Sequence, residues 1–373
     1  MKILFTGGGT GGHILPIIAI CREIRRIHPN PDLQFCYLGP SDEFDKILLS
    51  QEGISVKHVF SGKLRRYLDW KVFFQNPIDI LFKIPLGTLQ AFFYIFFLAP
   101  DLIFSKGGFG SIEGVIAGWL LRIPVFLHES DINPGLANRF LAKFALEIFG
   151  SFPKTENFSL RKIISVGNPI RREVSEGTKE GGQKLFKLSR KKPVILILGG
   201  SQGAQRINDK ILEILPKLLK NFSVIHQCGQ RNFKEVQAES GVILPKELIS
   251  FYHLFPFLYE EELKQAYAAS DFIVSRAGSG SIFEIAAVGK PSILIPLPEA
   301  AQNHQVKNAY AYAKNKATIV LEEANFTSHF FLEKLKYLIS QPEELEKMQK
   351  AAKVFSKPIA AKIIAAYLVE LLK

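Results

Sequence analysis

Residues 2–27, KILFTGGGTGGHILPIIAICREIRRI, carry the decisive pattern. KILFT has strand character, GGGTGGH is too glycine-rich for regular structure, and ILPIIAICREIRRI spaces its apolar residues as one helical face. A strand that passes through a glycine turn into a helix opens a doubly wound α/β domain. The same grammar returns at residues 193–220, as strand PVILILGG, loop SQGA and helix INDKILEILPKLLK. Further apolar runs fit parallel strands. In the first half these are LQFCYL, SVKHVF, DLIFSK, PVFLHE, LEIFG and IISVG; in the second, FSVIHQC, LISFYHL, FIVSR, PSILIPL and ATIVL. Helical patterns such as SIEGVIAGWLLR and SIFEIAAVG lie between them. The expectation is two Rossmann-like halves, an enzyme architecture whose ligands bind at the carboxyl ends of the strands. The last stretch, IAAKIIAAYLVELLK, is a periodic helix whose partner the pattern does not identify.

The length of 373 residues agrees with two domains. Charge is uneven along the chain. Residues 151–192 hold 11 basic and 4 acidic side chains and so supply +7 of the net +12. With Gly177, Gly181, Gly182 and Pro193 in or beside it, this stretch reads as an inter-domain connection and the first elements beyond. No RNP, zinc-finger or helix-turn-helix signature accompanies the charge, so nucleic acid is not an expected partner. Cys21, Cys36 and Cys228 are scattered and odd in number, as expected of reduced, buried thiols in a cytoplasmic protein. Met1-Lys2 leads directly into the first strand, so no secretory leader is expected.

Residues 70–104, WKVFFQNPIDILFKIPLGTLQAFFYIFFLAPDLIF, are unusually apolar. Pro77, Asp79, Lys83, Pro85 and Gln90 interrupt them, and the longest uncharged run, Ile84–Pro100, is at the short edge of a bilayer span. One reading is a buried helix at about Ile84–Leu98 feeding a buried strand. The other is an interfacial patch, with Phe73, Phe74, Ile78, Leu81 and Phe82 on lipid beside Lys63, Arg65, Arg66 and Lys71. Composition leaves both open.

Four glycine loops each follow a strand and precede a helix: GGGTGGH, KGGFGS (Lys106–Ser111), GGSQGA (Gly199–Ala204) and RAGSGS (Arg276–Ser281). Gly7, Gly9 and Gly12 satisfy G-x-G-x-x-G, but the next strand ends in Gly39-Pro40 and not in the acid a dinucleotide ribose requires. No Lys-Ser/Thr pair follows the loop, which removes a Walker A reading. In RAGSGSIFE, Ser279, Gly280 and Ser281 open a helix whose N–H groups and dipole suit a phosphate. Glu284 lies on its first turn, either as an acceptor for ribose hydroxyls or as a favourable first-turn acid. No D-x-D metal motif occurs, which points to a nucleoside diphosphate held by protein alone.

The ordered set GGTGGH, GGFGS, HESDINPGLANR, GNPIR, GGSQGA, RAGSGSIFEIAAVGKPSILIPLP and NHQVKNA resembles the MurG family. The motifs run from residue 8 to about 309, nearly the whole chain. The resemblance implies the GT-B fold: an acceptor and membrane-associating domain at 1–166, a UDP-sugar domain at 167–356, and a C-terminal helix, 357–373, crossing back to the first domain. It implies transfer of N-acetylglucosamine from UDP-GlcNAc to the C4 hydroxyl of the N-acetylmuramyl unit of lipid I, giving lipid II. No cofactor or metal is implied. The implied partners are UDP-GlcNAc, undecaprenyl-pyrophosphoryl-MurNAc-peptide and an anionic membrane surface, at the cytoplasmic face of the inner membrane.

On the donor side, the resemblance gives Arg171, Ser201 and Gln202 to the diphosphate and Phe257 and Leu258 to the uracil, with their backbone reading its edge. Arg276, Ser279, Gly280 and Ser281 fall at the α-phosphate loop, Glu284 at the ribose, and His304 and Gln305 at the sugar, with Thr10, Gly11, Gly12 and Asp131 completing the set. The acceptor side takes Gly107, Gly108, Phe109, His128 and Asn138. His13, Asp131 and Glu129 are the candidate catalytic residues, and either His13 or Asp131 is the base. The chain departs from the family in having Phe109 for a Tyr, Asp131 for an Asn and His304 for a Gln. Rival readings are another GT-B transferase acting on a lipid such as diacylglycerol, a UDP-GlcNAc epimerase, and a non-catalytic lipid-surface scaffold. A lipid-linked acceptor favours residues 63–82 as the membrane-docking surface, and assigns the basic 151–192 stretch to the hinge and the approach to the donor diphosphate.

Overall fold

The structure is a computed structural model that describes residues 1–8, 11–63, 65, 70–153, 155, 158, 163–200 and 203–372, with the backbone alone at residues 44 and 71–74. Thr10, Arg66, Ser201 and Gln202 lie outside the described residues, as do the side chains of Lys71, Phe73 and Phe74. The chain divides into two compact units, Met1–Arg171 with Ile359–Lys373, and Arg172–Pro358. The division falls at 171/172, five residues after the expected 166/167. The reason is local: Ile163–Ser165 joins the first sheet, and residues 166–171, VGNPIR, run buried along it. Half of the expected 151–192 connection, up to Arg171, is therefore part of the first unit.

The first unit holds seven parallel strands: β1 (Lys2–Thr6), β2 (Gln34–Gly39), β3 (Ser55–His58), β4 (Leu102–Ser105), β5 (Val125–Glu129), β6 (Glu147–Gly150) and β7 (Ile163–Ser165). Their order is β3-β2-β1-β4-β5-β6-β7, with Leu4 of β1 opposite Cys36 on one side and Ile103 on the other. Helices cover both faces, so the central strands are apolar throughout and do not alternate. On one face Ile14, Ile17 and Ile24 of helix Gly11–Ile27 pack with Ile364, Ala365 and Leu368 of the last helix, Ala360–Glu370. That helix completes the first unit although it is last in sequence. On the other face lie Ala91, Ile95, Val115 and Leu141.

The second unit repeats the plan with β8 (Val194–Leu198), β9 (Ser223–Gln227), β10 (Tyr252–Phe255), β11 (Phe272–Ser275), β12 (Ser292–Leu294) and β13 (Thr318–Val320), all parallel, in the order β10-β9-β8-β11-β12-β13. Helix Gln205–Asn221 buries Ile207, Ile211, Leu215 and Leu218, a spacing of three or four residues that keeps one face on the sheet. The expected strand LISFYHL is shorter than its composition suggests. Residues Lys246–Phe251 form a 3-10 turn after Pro245, and pairing begins only at Tyr252. All three cysteines are free and buried.

Of the two readings open for residues 70–104, the buried core helix is not the one found: in helix Ile84–Leu98 only Gly87, Ala91 and Ile95 are buried, one stripe at i, i+4 and i+8. Leu86, Leu89, Phe93, Phe96 and Phe97 are exposed. Preceding it, Asp79–Lys83 is a π-helical turn, so helix runs without a break from Gln75 to Leu98, long and apolar enough by length and composition to cross a membrane. The basic segment is corrected as well. Lys179, Arg190, Lys191 and Lys192 line a cavity of about 420 Å³ beside Val194 and Asp271, where β8 and β11 begin. That is the amino edge of the second sheet, opposite the loops that follow its strands.

Candidate active site

β1, β4 and β5 are neighbours, so the loops leaving Thr6, Ser105 and Glu129 emerge together at the carboxyl edge of the first sheet. Gly107 and Gly108 both have φ of +83°, a region that L side chains rarely occupy. A Cβ on Gly107 would fall 2.1 Å from Asn138 Oδ1, and one on Gly108 would fall 2.9 Å from His13 Nε2. The two glycines thus let the loop lie directly against His13 and Asn138. Phe109 follows, half-buried, with Lys63 Nζ 5.5 Å from its ring centre.

Beneath this loop is a polar network. Glu129 is buried and accepts from the Asp131 amide at 2.8 Å and from Asn138 Nδ2 at 2.7 Å. Burial, then the neighbouring Asp131 charge, pushes its carboxyl up to about 7. His128 is fully buried, which drives its pKa well below the ordinary value, so the ring is neutral. Its Nε2–H donates to the Gly167 carbonyl at 3.2 Å, leaving Nδ1 as an acceptor for the Lys106 ammonium at 2.9 Å. His128 is therefore a held structural ring and not a free acceptor contact. His13 and Asp131 are each half-buried.

In the second unit the loops after β8, β9, β10, β11 and β12 share one edge. Helix Ser279–Val288 begins there, with Gly278 at its N-cap and Ser279 Oγ buried without a hydrogen-bond partner. Gly280 and Ser281 are partly exposed beside it. One turn on, Glu284 Oε2 accepts from the Tyr267 hydroxyl at 3.0 Å. Arg276 is anchored inward: its Nη1 donates to Ile295 O at 3.2 Å and to Glu323 Oε2 at 2.6 Å. His304 Nδ1–H donates to Ala301 O at 2.7 Å, while Gln305 Oε1 accepts from Leu297 N at 3.0 Å. Gln302 and Asn303, just before them, both have left-handed backbone, φ 56° and 59°. Strain of this kind costs on the order of 1–3 kcal/mol per residue and persists where surrounding contacts impose it.

Leu258 is corrected. Its side chain is 1% exposed and its N–H already donates to Gln227 Oε1 at 3.0 Å, so neither can flank or read a base. Half-buried Phe257 sets its ring edge-on to Tyr259, with centroids 5.2 Å apart. Arg171 is buried at the end of the first unit, whereas its neighbour Arg172 is exposed and paired with Glu176 at 3.2 Å.

Residues 3–150 match the Glycosyltransferase family 28 N-terminal domain, and residues 194–364 match the Glycosyltransferase family 28 C-terminal domain. A Bacillus cereus protein is 41% identical over 347 residues, 92% of this chain and 91% of its own. It is named UDP-N-acetylglucosamine--N-acetylmuramyl-(pentapeptide) pyrophosphoryl-undecaprenol N-acetylglucosamine transferase 2. This chain belongs to glycosyltransferase family 28 and, within it, to the MurG family. Its fold is that of the Acinetobacter baumannii MurG crystal structure, with a TM-score of 0.72 at 24% identity over 99% of each chain. A UDP-GlcNAc 2-epimerase from Neisseria meningitidis shares the architecture, with a TM-score of 0.67 at 18% identity over 99% of this chain and 100% of that one.

Within this member of the MurG family, several polar residues escape a motif reading. Lys106 begins KGGFGS, but its burial is visible only once β4 and β5 are paired. Gln227 joins two loops, donating Nε2 to Gly200 O at 3.3 Å and accepting from Leu258 N. Tyr267 is 17 residues from the carboxylate it holds. A buried polar residue at a strand's carboxyl end is the signal common to Lys106 and Gln227.

Proposed function

We propose that this enzyme transfers N-acetylglucosamine from UDP-GlcNAc to the C4 hydroxyl of MurNAc in lipid I, forming lipid II. The observation that carries the reading is 41% identity, across 92% of the chain, to a transferase so named. The C4 oxygen attacks C1 of the donor sugar in line, its proton passes to His13 or Asp131, and the C1–O bond breaks with the electron pair leaving on UDP. The link formed is β. A proton acceptor near the hydroxyl and hydrogen-bond donors at the departing phosphate are the two requirements. The second is met by the N-terminus of Ser279–Val288, where the Ser279 hydroxyl lies unpartnered, with Arg171 as the proposed diphosphate cation. Glu284 takes the ribose, Phe257 the uracil, and His304 and Gln305 the sugar. Helix dipole and fixed donors do this work without a metal, so activity is expected to persist in excess EDTA.

The acceptor is proposed to reach the first unit from the cytoplasmic face of the inner membrane. Ile78, Leu81 and Phe82, with Phe93, Phe96 and Phe97, form the apolar surface, and Lys63 and Lys83 provide exposed charge for anionic headgroups. Because Gly87, Ala91 and Ile95 fasten the long helix to the protein, it lies in the interface instead of crossing.

Incubation with UDP-GlcNAc and a lipid I analogue, followed by mass identification of the β-linked disaccharide lipid, tests the assignment. A folded sample that releases UDP only without acceptor, or makes no disaccharide, overturns it.

A further inference from the structure

The segment that leaves the carboxyl end of β3 is held by side chains of two helices. Phe60 N donates to Gln90 Oε1 at 3.0 Å, Gly62 N to Glu113 Oε1 at 3.2 Å, Lys63 N to Asp79 Oδ2 at 3.1 Å and Arg65 N to Asn76 Oδ1 at 3.0 Å. Asn76 Nδ2 returns a bond to Arg65 O at 2.8 Å. Glu113 belongs to helix Ile112–Leu120, but Asn76, Asp79 and Gln90 are polar residues of the long apolar helix Gln75–Leu98. Their place in that helix has a physical reason: they satisfy the amides of a strap of irregular backbone laid along it. The packing is close, since a Cβ on Gly87 would fall 1.8 Å from Phe60 O.

The strap brings one cation to the acceptor edge. Lys63 is exposed, its amide is fixed by buried Asp79, and its Nζ lies 5.5 Å from the ring centre of Phe109 in the glycine loop. Among the described residues no acidic side chain pairs with it, whereas Arg65 and Lys83 are both paired with Asp79, at 2.7 and 2.6 Å. Lys63 thus joins an apolar helix to a glycine loop. We propose that Lys63 binds the diphosphate of the acceptor, a subsite that the motifs do not assign. This rests on the transferase reading, in which the acceptor is a polyprenyl chain, a diphosphate and a reacting sugar, in that order. With the chain on exposed Ile78, Leu81 and Phe82 and the sugar at the Gly107–Phe109 loop, the charge between them meets Lys63. A lysine serves such a group as a mobile point charge on a flexible stem, and the strap fixes where that stem begins.

The test is steady-state kinetics with a water-soluble, short-chain acceptor analogue, where no membrane contributes, for wild type, Lys63→Met and Lys63→Arg. Lys63→Met is expected to raise the acceptor KM about 10-fold or more, with the KM for UDP-GlcNAc unchanged and kcat within about twofold. Lys63→Arg keeps the charge and should stay within about threefold of wild type. An acceptor KM that does not move, or that rises only on anionic vesicles, overturns the proposal and leaves Lys63 as a headgroup contact. A folded wild type that makes no disaccharide counts against the transferase reading instead, and the subsite is then decided by calorimetric titration with farnesyl diphosphate. Binding that Lys63→Met weakens about 10-fold supports the subsite. No binding, or equal binding by wild type and Lys63→Met, overturns it.

Discussion

The Tyr267 hydroxyl donates to Glu284 Oε2 at 3.0 Å from helix Glu260–Ala269, a different helix from the one that carries the carboxylate. The bond orients Glu284 one turn into helix Ser279–Val288. A net hydrogen bond of this kind is worth about 0.5–1.5 kcal/mol, or more with a charged partner. Tyr267→Phe is therefore expected to raise the KM for UDP-GlcNAc about 3- to 10-fold and leave kcat within about twofold, in steady-state assays. Glu284→Ala should cost more, since it removes the acceptor itself. Calorimetric titration with UDP checks both variants without acceptor.

Gly107 admits no side chain. Its φ is +83°, and a Cβ would fall 2.1 Å from Asn138 Oδ1. Gly107→Ala is expected to cost about 2–4 kcal/mol of stability in the first unit and to displace Asn138 from Glu129. Denaturant unfolding followed by far-UV circular dichroism measures the first effect, and lipid I turnover the second.

Glu113 is buried and receives Gly62 N at 3.2 Å and Ser61 Oγ at 3.3 Å, yet burial still pushes it from 4.5 up to about 7. With its folded value raised, its contribution is fully present below the unfolded value and is lost as pH rises through about 7. Glu113→Gln, which keeps an acceptor for Gly62, should melt higher than wild type at pH 8, by on the order of 1–3 kcal/mol. The gain should shrink steeply by pH 5 and vanish only below the unfolded value of 4.5. Calorimetric melting at both pH values provides the check; an equal gain at both would contradict it.

Phe97 is 80% exposed at the end of the long helix, far in sequence from the glycine loops. Phe97→Glu and Leu81→Glu should each weaken sedimentation with vesicles of anionic phospholipid at least about fivefold while leaving UDP binding intact. Lys63→Glu is the cleaner charge test. Arg65 donates to buried Asp79 at 2.7 Å, so reversing it would leave a buried carboxylate facing a like charge.

Much of the fold was legible in residues 2–27 and 193–220, because a parallel strand buried on both faces, a glycine turn and an amphipathic helix each leave a local pattern. The helix start at Ser279 was legible for the same reason, because a glycine–serine turn between strand and helix is a pattern of consecutive residues. Leu258 was misread because its burial and its amide's partner, Gln227, depend on which loop lies beside it. The helix Ile84–Leu98 was readable as a helix, but not as an exposed one: apolar composition is the same whether protein or lipid covers it.

By itself the sequence determined the two α/β units, the family and the positions of the glycine loops, all encoded in short-range order. Tertiary structure decided which charges face one another. The ammonium of Lys106 under His128, the basic residues 179–192 at the far edge of their sheet, and the return of Ala360–Glu370 to the first unit are all long-range outcomes. Electrostatic energy depends on distance and burial, which sequence spacing does not specify. That is why the charge total is legible in the sequence, while the sheet edge that carries Lys179 and residues 190–192 is not.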